Sequence, residues 1–573
     1  MRRSIQLWLI LGGIAIAILP WYVLEADAPL AYPTVETGSA LYQIAWAGRS
    51  WLLLPVLPFL PLLAAVWRRP LGAGEGTHLA GWSALGIALL LGQGFAIIHS
   101  GPAWPWLAAT LPAGAKQPGL GFGGAALGLS YLMLGANGLA ARGWCRGDAF
   151  TVSAIALVVA LIALFVFFPI LIMLASAAQD NAGRWVPSLF LEKLASRSIW
   201  GLDCITSGVS CGVALNTLLL AALVGAGSTG IGLAFALVAA RTGFRYKQLL
   251  RALTVLPIIT PPFVIGLAMI LLFGRSGAVT AALADWLDVP RSRWIYGLPG
   301  VLLAQLLAFA PIAFLVLVGV LQGIAPSLEE ASETLGASRW ASFRRVTWPL
   351  LRPGVANAFL LGFVESLADF GNPLVLGGNY EVLSTKVFFA VVGAAHDQGQ
   401  AAVLAIVLLA FTLAAFWAQH RWLGGRTYTT VTGKGDGGRP IALPVLVRWK
   451  CFAVAALWTL LTLAVYATIF LGGFVRAVGR DHTFTLEHYR TGFAGEWGAH
   501  GLLLTGSAWD SLWTTLEVSA VAAPLTAAIG LVTAYLLTRQ RFRGQRIFEF
   551  GTMLSFAIPG TVVGVSYILA FNV

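Results

Sequence analysis

The sequence predicts an all-α protein that crosses a membrane many times, and three observations support this class. Of its 573 residues, 58% are hydrophobic and only 10% are charged, whereas soluble domains have about 45–50% apolar and about 25% charged residues. The mean hydropathy is +0.82. Apolar runs of about 20 residues, the length that a membrane-spanning helix needs, recur along the chain. These features exclude a soluble protein.

Thirteen apolar runs are long enough to span a bilayer. The first follows Met1, Arg2 and Arg3 and has no small-residue cleavage site, so we interpret it as a retained helix rather than a signal peptide. The runs lie at 5–24, 50–67, 79–98, 120–141, 151–178, 212–240, 250–273, 299–322, 354–377, 400–422, 447–474, 511–538 and 549–573.

The distribution of charge predicts the orientation. The chain has 36 Lys and Arg against 24 Asp and Glu, a net charge of +12. With a cytoplasmic amino terminus, 24 basic and 7 acidic residues face the cytoplasm, whereas 12 basic and 14 acidic residues face outward. Because cytoplasmic loops are enriched in Lys and Arg, the basic balance indicates topology. No nucleic-acid partner is expected, and lipid is the surrounding medium.

An internal repeat is visible at an offset of 298 residues. Residues 217–273 and 515–571 share 18 identities in 57 ungapped positions. Both copies enter the membrane in the same direction, which predicts two parallel bundles with a pathway between them. The candidates for gating are the matched helix-interrupting residues, although Pro and Gly are also ordinary in membrane helices: Pro261, Gly266, Pro559 and Gly564.

The cytoplasmic loop 326–349 is more than a connector. Ser327 and Glu330 have the spacing of a capping box, which predicts a short helix, and Gly336 permits a turn after it. The following segment has an apolar side formed by Trp340, Phe343 and Val346. The loop is therefore predicted to lie on the membrane surface and to dock on a cytoplasmic partner.

These residues also resemble a known motif. Glu330-Ala331-Ser332, three residues, Gly336, nine residues and then Val346-Thr347-Trp348-Pro349 are similar to the EAA loop of binding-protein-dependent ABC importer permeases, with Ser332, Val346 and Trp348 as conservative departures. The resemblance implies a cytoplasmic ATP-binding subunit dimer and a periplasmic substrate-binding protein as partners. It assigns ATPase coupling to Glu330, Ala331, Ser332, Gly336, Val346 and Pro349.

A narrower resemblance concerns the cargo. The strings 365–373, 383–385 and 428–434 are similar to the fused two-domain permeases of ferric iron importers, which implies a multi-pass protein of the bacterial cell inner membrane. Related permeases for 2-aminoethylphosphonate, thiamine, polyamines or sulfate remain alternatives. An ion-driven secondary carrier or a membrane-embedded enzyme is a more remote alternative, since no convergent catalytic set is found.

The repeat predicts a division into four parts. Residues 1–149 form an amino-terminal extension with four transmembrane helices, 150–425 a first permease bundle, 426–446 a basic cytoplasmic linker and 447–573 an incomplete second bundle. The offset places a second coupling loop near position 634, so we expect the sequence to be a piece of a protein of roughly 700 residues or more, with sixteen spans.

Glu365 and Asp369 are acids within a predicted span, and such residues face a bundle interior or water. They are either oxygen ligands on a cation pathway or structural braces, and the structural role is favoured. The sequence has no His or Cys spacing typical of a metal site and no phosphate-binding Gly-rich loop. We therefore expect no metal, no cofactor and no catalytic residue here, with ATP hydrolysis on a separate subunit. Cys204 and Cys211 are either paired or free.

Overall fold

The computed structural model describes residues 1–23, 37–63, 72–99, 101–112, 115–180, 184–202, 204, 211–393, 397–423, 441–498 and 501–571. In the amino-terminal part, the helices are α1 (Arg2–Ala17), α2 (Ala40–Ala45), α3 (Leu53–Val56), α4 (Phe59–Leu63), α5 (Ala73–Ala96), α6 (Pro105–Ala108), α7 (Phe122–Ala141), α8 (Ala149–Ile162), α9 (Phe168–Ser176), α10 (Pro187–Leu194) and α11 (Arg197–Trp200). One antiparallel hairpin joins β1 (Ile97–Ile98) to β2 (Gly101–Pro102).

The central part continues with helices of very different lengths. They are α12 (Val213–Arg241), α13 (Lys247–Ile259), α14 (Pro262–Phe273), α15 (Ala278–Leu287), α16 (Leu298–Gln322), α17 (Pro326–Thr334), α18 (Arg339–Ser342), α19 (Trp348–Ala368), α20 (Gly371–Leu376), α21 (Leu383–Val392) and α22 (Gln398–Leu423). Single π-helical turns lie at Ala163–Phe167 and Phe343–Thr347.

The last described part has five helices and two hairpins. It contains α23 (Val445–Gly472), β3 (Val475–Ala477), β4 (Asp481–Phe484), α24 (Glu487–Gly492), β5 (Gly495–Gly498), β6 (Gly501–Leu504), α25 (Ser507–Arg539), α26 (Gln545–Ala557) and α27 (Gly560–Phe571). The hairpins β3–β4 and β5–β6 are antiparallel. In the described residues, the remaining regular structure is helical, which confirms the all-α polytopic class.

Among the described residues, ten helices are long and apolar enough to cross a membrane, and α26 with α27 forms a bent pair that brings the number to eleven. The prediction of thirteen spans is therefore too high for this part of the chain. The described part of the run at 5–24 forms a helix of only 16 residues. The described part of the run at 50–67 is divided into the short helices α3 and α4, and Pro58 lies in the break between them, where proline removes a backbone donor.

The unit formed by Met1–Phe167 with Glu517–Met553 has its main core among α1, α5 and α7. Leu9, Leu79 and Leu127 are buried there together with Tyr131. The Tyr131 hydroxyl donates a hydrogen bond of 2.7 Å to the Pro55 carbonyl oxygen, which ties the short helices to α7. A smaller apolar cluster joins α8 to α25 and α26.

The unit formed by Phe168–Leu516 with Leu554–Asn572 is built around α12, α16 and α19. Small residues allow these helices to approach closely, as is typical of membrane bundles. A Cβ atom on Gly232 of α12 would lie only 2.6 Å from the Phe314 backbone nitrogen of α16. On another side, α23 packs against α12 and α14, and the Tyr466 hydroxyl hydrogen-bonds Thr260.

Two predicted spans have breaks that hydropathy did not show. The run at 250–273 consists of α13 and α14, which are separated at Thr260 and Pro261. The run at 354–377 contains the end of α19, where Asp369 takes an extended backbone conformation and stops the helix.

The sequence left open whether Cys204 and Cys211 are paired or free. In the structure they form a disulfide with a Cα–Cα distance of 4.8 Å.

Candidate functional site

The predicted coupling loop forms two short helices that return the chain to the membrane. Its first helix, α17, begins at Pro326 with Ala325 as the N-cap residue. The prediction of a capping box beginning at Ser327 is therefore wrong, because Ser327 already lies inside the first turn. Proline suits this first helical position because its missing N–H would have no partner there.

Glu329 is the anchor of the loop. Its side chain is 2% exposed, and its carboxylate accepts hydrogen bonds of 2.7 Å from Arg241 Nη1 at the end of α12 and 2.7 Å from Thr347 Oγ1. The Ile441 backbone N–H donates to the same carboxylate at 3.1 Å. One buried acid thus ties together a membrane helix, the return segment of the loop and the chain that leads into α23.

The turn between the two short helices depends on Gly336. Its φ is +79°, in the left-handed region, and a Cβ atom there would meet nothing within 4 Å. Only the backbone conformation therefore requires glycine at this position. After the turn, Ser338 caps α18 by accepting a hydrogen bond from the Ala341 N–H. The Ser332 and Ser342 hydroxyls hydrogen-bond each other and hold α17 against α18.

The loop exposes large apolar side chains on both of its short helices. Leu328 is 50% exposed and Leu335 is 87% exposed, and they lie on α17 and at its end. Trp340 on α18 is 52% exposed. Glu330 and Ala331 are exposed as well, whereas Ser332, Val346 and Pro349 are half-buried. Large apolar side chains grouped on a surface are typical of an interaction site. We call Leu328, Ala331, Leu335 and Trp340 the docking face.

The residues of the motif and the residues that anchor the loop are different. Glu330, Ala331 and Gly336 are on the surface, whereas the buried electrostatic contacts belong to Glu329 and Arg241. The motif did not single out these two residues. Arg241 was nevertheless visible as one of the identities of the internal repeat, where it matches Arg539.

Asp369 lies in a polar cluster between helices. Its carboxylate accepts hydrogen bonds of 2.8 Å from Gln305 Nε2 and 2.9 Å from Asn372 Nδ2. Ser384 Oγ donates to the Asp369 carbonyl oxygen at 2.7 Å, and Ser366 Oγ donates to Gln305 Oε1 at 2.7 Å. These bonds connect α16, the α19–α20 break and α21, so the cluster braces the bundle. Glu365, one turn earlier on α19, is half-buried.

The gating candidates of the two repeat copies differ in their surroundings. Pro261 stands at the break between α13 and α14, and Pro559 stands at the break between α26 and α27. A Cβ atom on Gly266 would lie 3.1 Å from the Val375 Cβ of α20, whereas one on Gly564 would meet nothing within 4 Å. In the described part of the chain, no three His, Cys, Asp or Glu side chains are grouped to hold a metal ion.

Comparisons with known proteins identify the family of this chain. Residues 229–423 match the family described as binding-protein-dependent transport system inner membrane component. The chain is 40% identical over 453 residues to a putative ferric transport system permease protein of Haemophilus influenzae, covering 79% of this chain and 69% of that protein. It is 41% identical over 427 residues to a ferric transport system permease protein of Actinobacillus pleuropneumoniae, covering 74% of this chain and 59% of that protein.

A solved structure is also similar. It is a bacterial ABC transporter involved in the import of the acidic polysaccharide alginate, with 19% identity and a TM-score of 0.38, covering 46% of this chain and 92% of that chain.

Proposed function

This chain belongs to the family of binding-protein-dependent transport system inner membrane components, and from that premise we propose how it couples ATP to transport and what it carries. It is a multi-pass permease subunit of an ABC importer in the inner membrane. We propose that its cargo is ferric iron, delivered by a periplasmic binding protein, and that a separate cytoplasmic ATPase dimer drives the transport.

The observation that carries the coupling proposal is the arrangement around Glu329. The docking face is free to contact an ATPase subunit, while Glu329 on the opposite side of α17 is bonded to Arg241 and Thr347. A movement of α17 would therefore pull directly on α12 and on the start of α19. Glu330, Ala331, Ser332, Gly336, Val346 and Pro349 serve this coupling by shaping and presenting the loop.

A glycine pair tests the coupling role. Gly336 and Gly544 both have positive φ, +79° and +86°, and a Cβ atom would meet nothing within 4 Å at either. The variants Gly336→Val and Gly544→Val therefore carry the same backbone penalty, about 1–2 kcal/mol. We expect Gly336→Val to abolish the stimulation of ATP hydrolysis in the assembled importer and Gly544→Val to retain it. Retained stimulation in Gly336→Val would refute the assignment.

The docking face has its own test. Leu335→Glu places a charge in the proposed interface without disturbing the fold, because this side chain is 87% exposed. Leu287→Glu is the matched control, since Leu287 is 67% exposed at the end of α15. Co-purification of the ATPase subunit should be lost with Leu335→Glu and kept with Leu287→Glu.

Iron as cargo is supported by the two ferric relatives at 40–41% identity. In melting experiments on the solute-binding protein encoded beside this chain, Fe³⁺ should raise the melting temperature, whereas molybdate, sulfate, thiamine and 2-aminoethylphosphonate should not. Stabilisation by one of the other compounds instead would identify that compound, and not iron, as the cargo.

We assign Glu365 and Asp369 a structural role rather than metal ligation, because the hydrogen-bond donors around the Asp369 carboxylate are neutral amides. Elemental analysis should therefore find no stoichiometric iron in the purified chain, with or without Asp369→Asn. If the unaltered chain binds iron and the variant does not, Asp369 is an iron ligand and the structural assignment is wrong.

We further propose that the amino terminus is cytoplasmic and that the chain is divided at 1–149, 150–425, 426–446 and 447–573. The docking face and the loops around Gly297 and Gly378 lie at opposite ends of α16 and its neighbours. A reporter fused after Arg546 should be cytoplasmic, and one fused after Arg490 should be periplasmic. If the two reporters are found on the opposite sides of the membrane, the proposed orientation of the chain is wrong.

A further inference from the structure

A cavity of about 640 Å³ opens at the end of the bundle that is remote from the docking face. Three loops surround it: the loop between α14 and α15 supplies Arg275, the loop between α15 and α16 supplies Arg293 and Tyr296, and the loop between α20 and α21 supplies Gly378 and Tyr380. None of these residues takes part in the coupling loop or the Asp369 cluster.

The cavity wall is held by specific contacts. Gly297 and Gly378 have φ values of +103° and +54°, so glycine is favoured at both positions. The Gly297 N–H donates to the Leu376 carbonyl oxygen at 2.7 Å and joins two of the loops. The Tyr380 hydroxyl donates to the Asn216 carbonyl oxygen at 2.7 Å. Burial raises the pKa of the Tyr380 hydroxyl to about 12.

The charge of the cavity is positive and uncompensated. In the described residues, Arg275 and Arg293 have no ion-pair partner, although both line the cavity. Two neighbouring ion pairs involve other basic side chains: Arg291 with Asp285 at 3.6 Å and Lys386 with Glu381 at 2.7 Å.

The hairpin β3–β4 brings a third guanidinium to the same region. Arg480 Nη2 donates a hydrogen bond of 3.1 Å to Ser276 Oγ, next to Arg275. Arginines are well suited to bind carboxylate and phosphate groups because their N–H donors can form two parallel hydrogen bonds.

We propose that this cavity is an oxyanion site that binds a carboxylate or phosphate group through Arg275 and Arg293. Its location on the periplasmic side rests on the proposed function, but the binding chemistry does not. The group is supplied either by a small anion or by an acidic side chain of the protein that delivers the cargo.

The first arm of the test measures small anions. Citrate and inorganic phosphate are titrated into the purified full chain in nanodiscs by calorimetry. The double variant Arg275→Gln/Arg293→Gln should weaken their binding at least about tenfold, since each hydrogen bond to a charged group contributes about 1.5–3 kcal/mol. Arg291→Gln, on the same loop as Arg293 but outside the cavity lining, is the control and should bind normally. An unchanged melting temperature verifies that the double variant is folded.

The second arm uses the solute-binding protein encoded beside this chain. If citrate and phosphate do not bind, its association with the nanodisc should weaken with Arg275→Gln/Arg293→Gln but not with Arg291→Gln, and added salt should reduce the difference. That result assigns the site to an acidic side chain of the partner. If neither arm responds to the double variant, the proposal is overturned. The first arm requires neither ATP nor iron, so its outcome is independent of the proposed transport function.

Discussion

In the first copy of the repeat, half of the residues in the apolar stretch of α12 are buried. In the second copy, only 6% of the residues in the corresponding stretch of α25 are buried. Both copies form a long helix, a basic turn and two shorter helices interrupted near a proline. The first copy is surrounded by α16, α19 and α23. The two copies show that local sequence can determine a helix–turn–helix unit while other segments determine how it is packed.

The same contrast extends to matched residues. Arg241 is buried against Glu329, whereas Arg539 is exposed and has no ion-pair partner in the described part of the chain. Gly232 is pressed against α16, whereas a Cβ atom on Gly530 would meet nothing within 4 Å. Identical residues therefore have different energetic roles, and substitutions at matched positions measure the difference directly.

The largest difference is expected for the arginine pair. Arg241→Met should lower the free energy of unfolding by about 3–5 kcal/mol, because it leaves the Glu329 carboxylate buried without its charge partner. Arg539→Met should change this free energy by no more than about 0.5 kcal/mol, since it alters an exposed side chain. Denaturant unfolding of the purified chain in detergent measures both.

A double variant checks the cause of that loss. Glu329→Gln removes the charge and keeps one oxygen, which can accept from either Thr347 or Ile441, because these two donors bond different oxygens of the carboxylate. Arg241→Met/Glu329→Gln should therefore be more stable than Arg241→Met alone. Equal losses at Arg241 and Arg539, or no recovery in the double variant, would contradict the buried ion pair.

The helix glycines should respond with opposite signs. A methyl group on Gly232 would lie 2.6 Å from the Phe314 nitrogen and 2.7 Å from the Ala313 Cβ, so Gly232→Ala should destabilise the chain by about 1–3 kcal/mol. Gly530→Ala should stabilise it by about 0.5–1 kcal/mol, because alanine has the higher helix propensity and space is free. Thermal unfolding distinguishes the two, and a shift of the same sign in both would refute the contrast.

The smallest effect is expected at Gly266 and Gly564, the two glycines that the sequence offers as gating candidates. Gly266→Ala brings a methyl group 3.1 Å from the Val375 side chain, which can move, so the loss should stay below about 1.5 kcal/mol. Val375→Ala in the same chain should relieve this contact, and Gly564→Ala should cause no loss. If Val375→Ala does not restore the stability of Gly266→Ala, the contact between α14 and α20 is not its cause.

The sequence predicted a helix and a turn in the loop 326–349, and both are present, but it did not predict the buried anchor of this loop. The spacing of Glu330, Gly336 and Pro349 indicated a helix, a turn and a return to the membrane, and Gly336 has the positive φ that this requires. Glu329 and Glu330 are adjacent acids, and only the packing of α17 against α12 decides that Glu329 is buried. Helical periodicity alone cannot make that choice when the partner surface is unknown.

The membrane class and the turn at Gly336 were determined by the sequence alone, because hydropathy and backbone sterics are local properties. The tertiary structure decided which charges are buried, where Asp369 ends α19, that Cys204 and Cys211 pair, and that Arg275 and Arg293 line one cavity. The residues of such contacts lie far apart in the chain. Their energies depend on burial and distance, which exist only once the helices have packed.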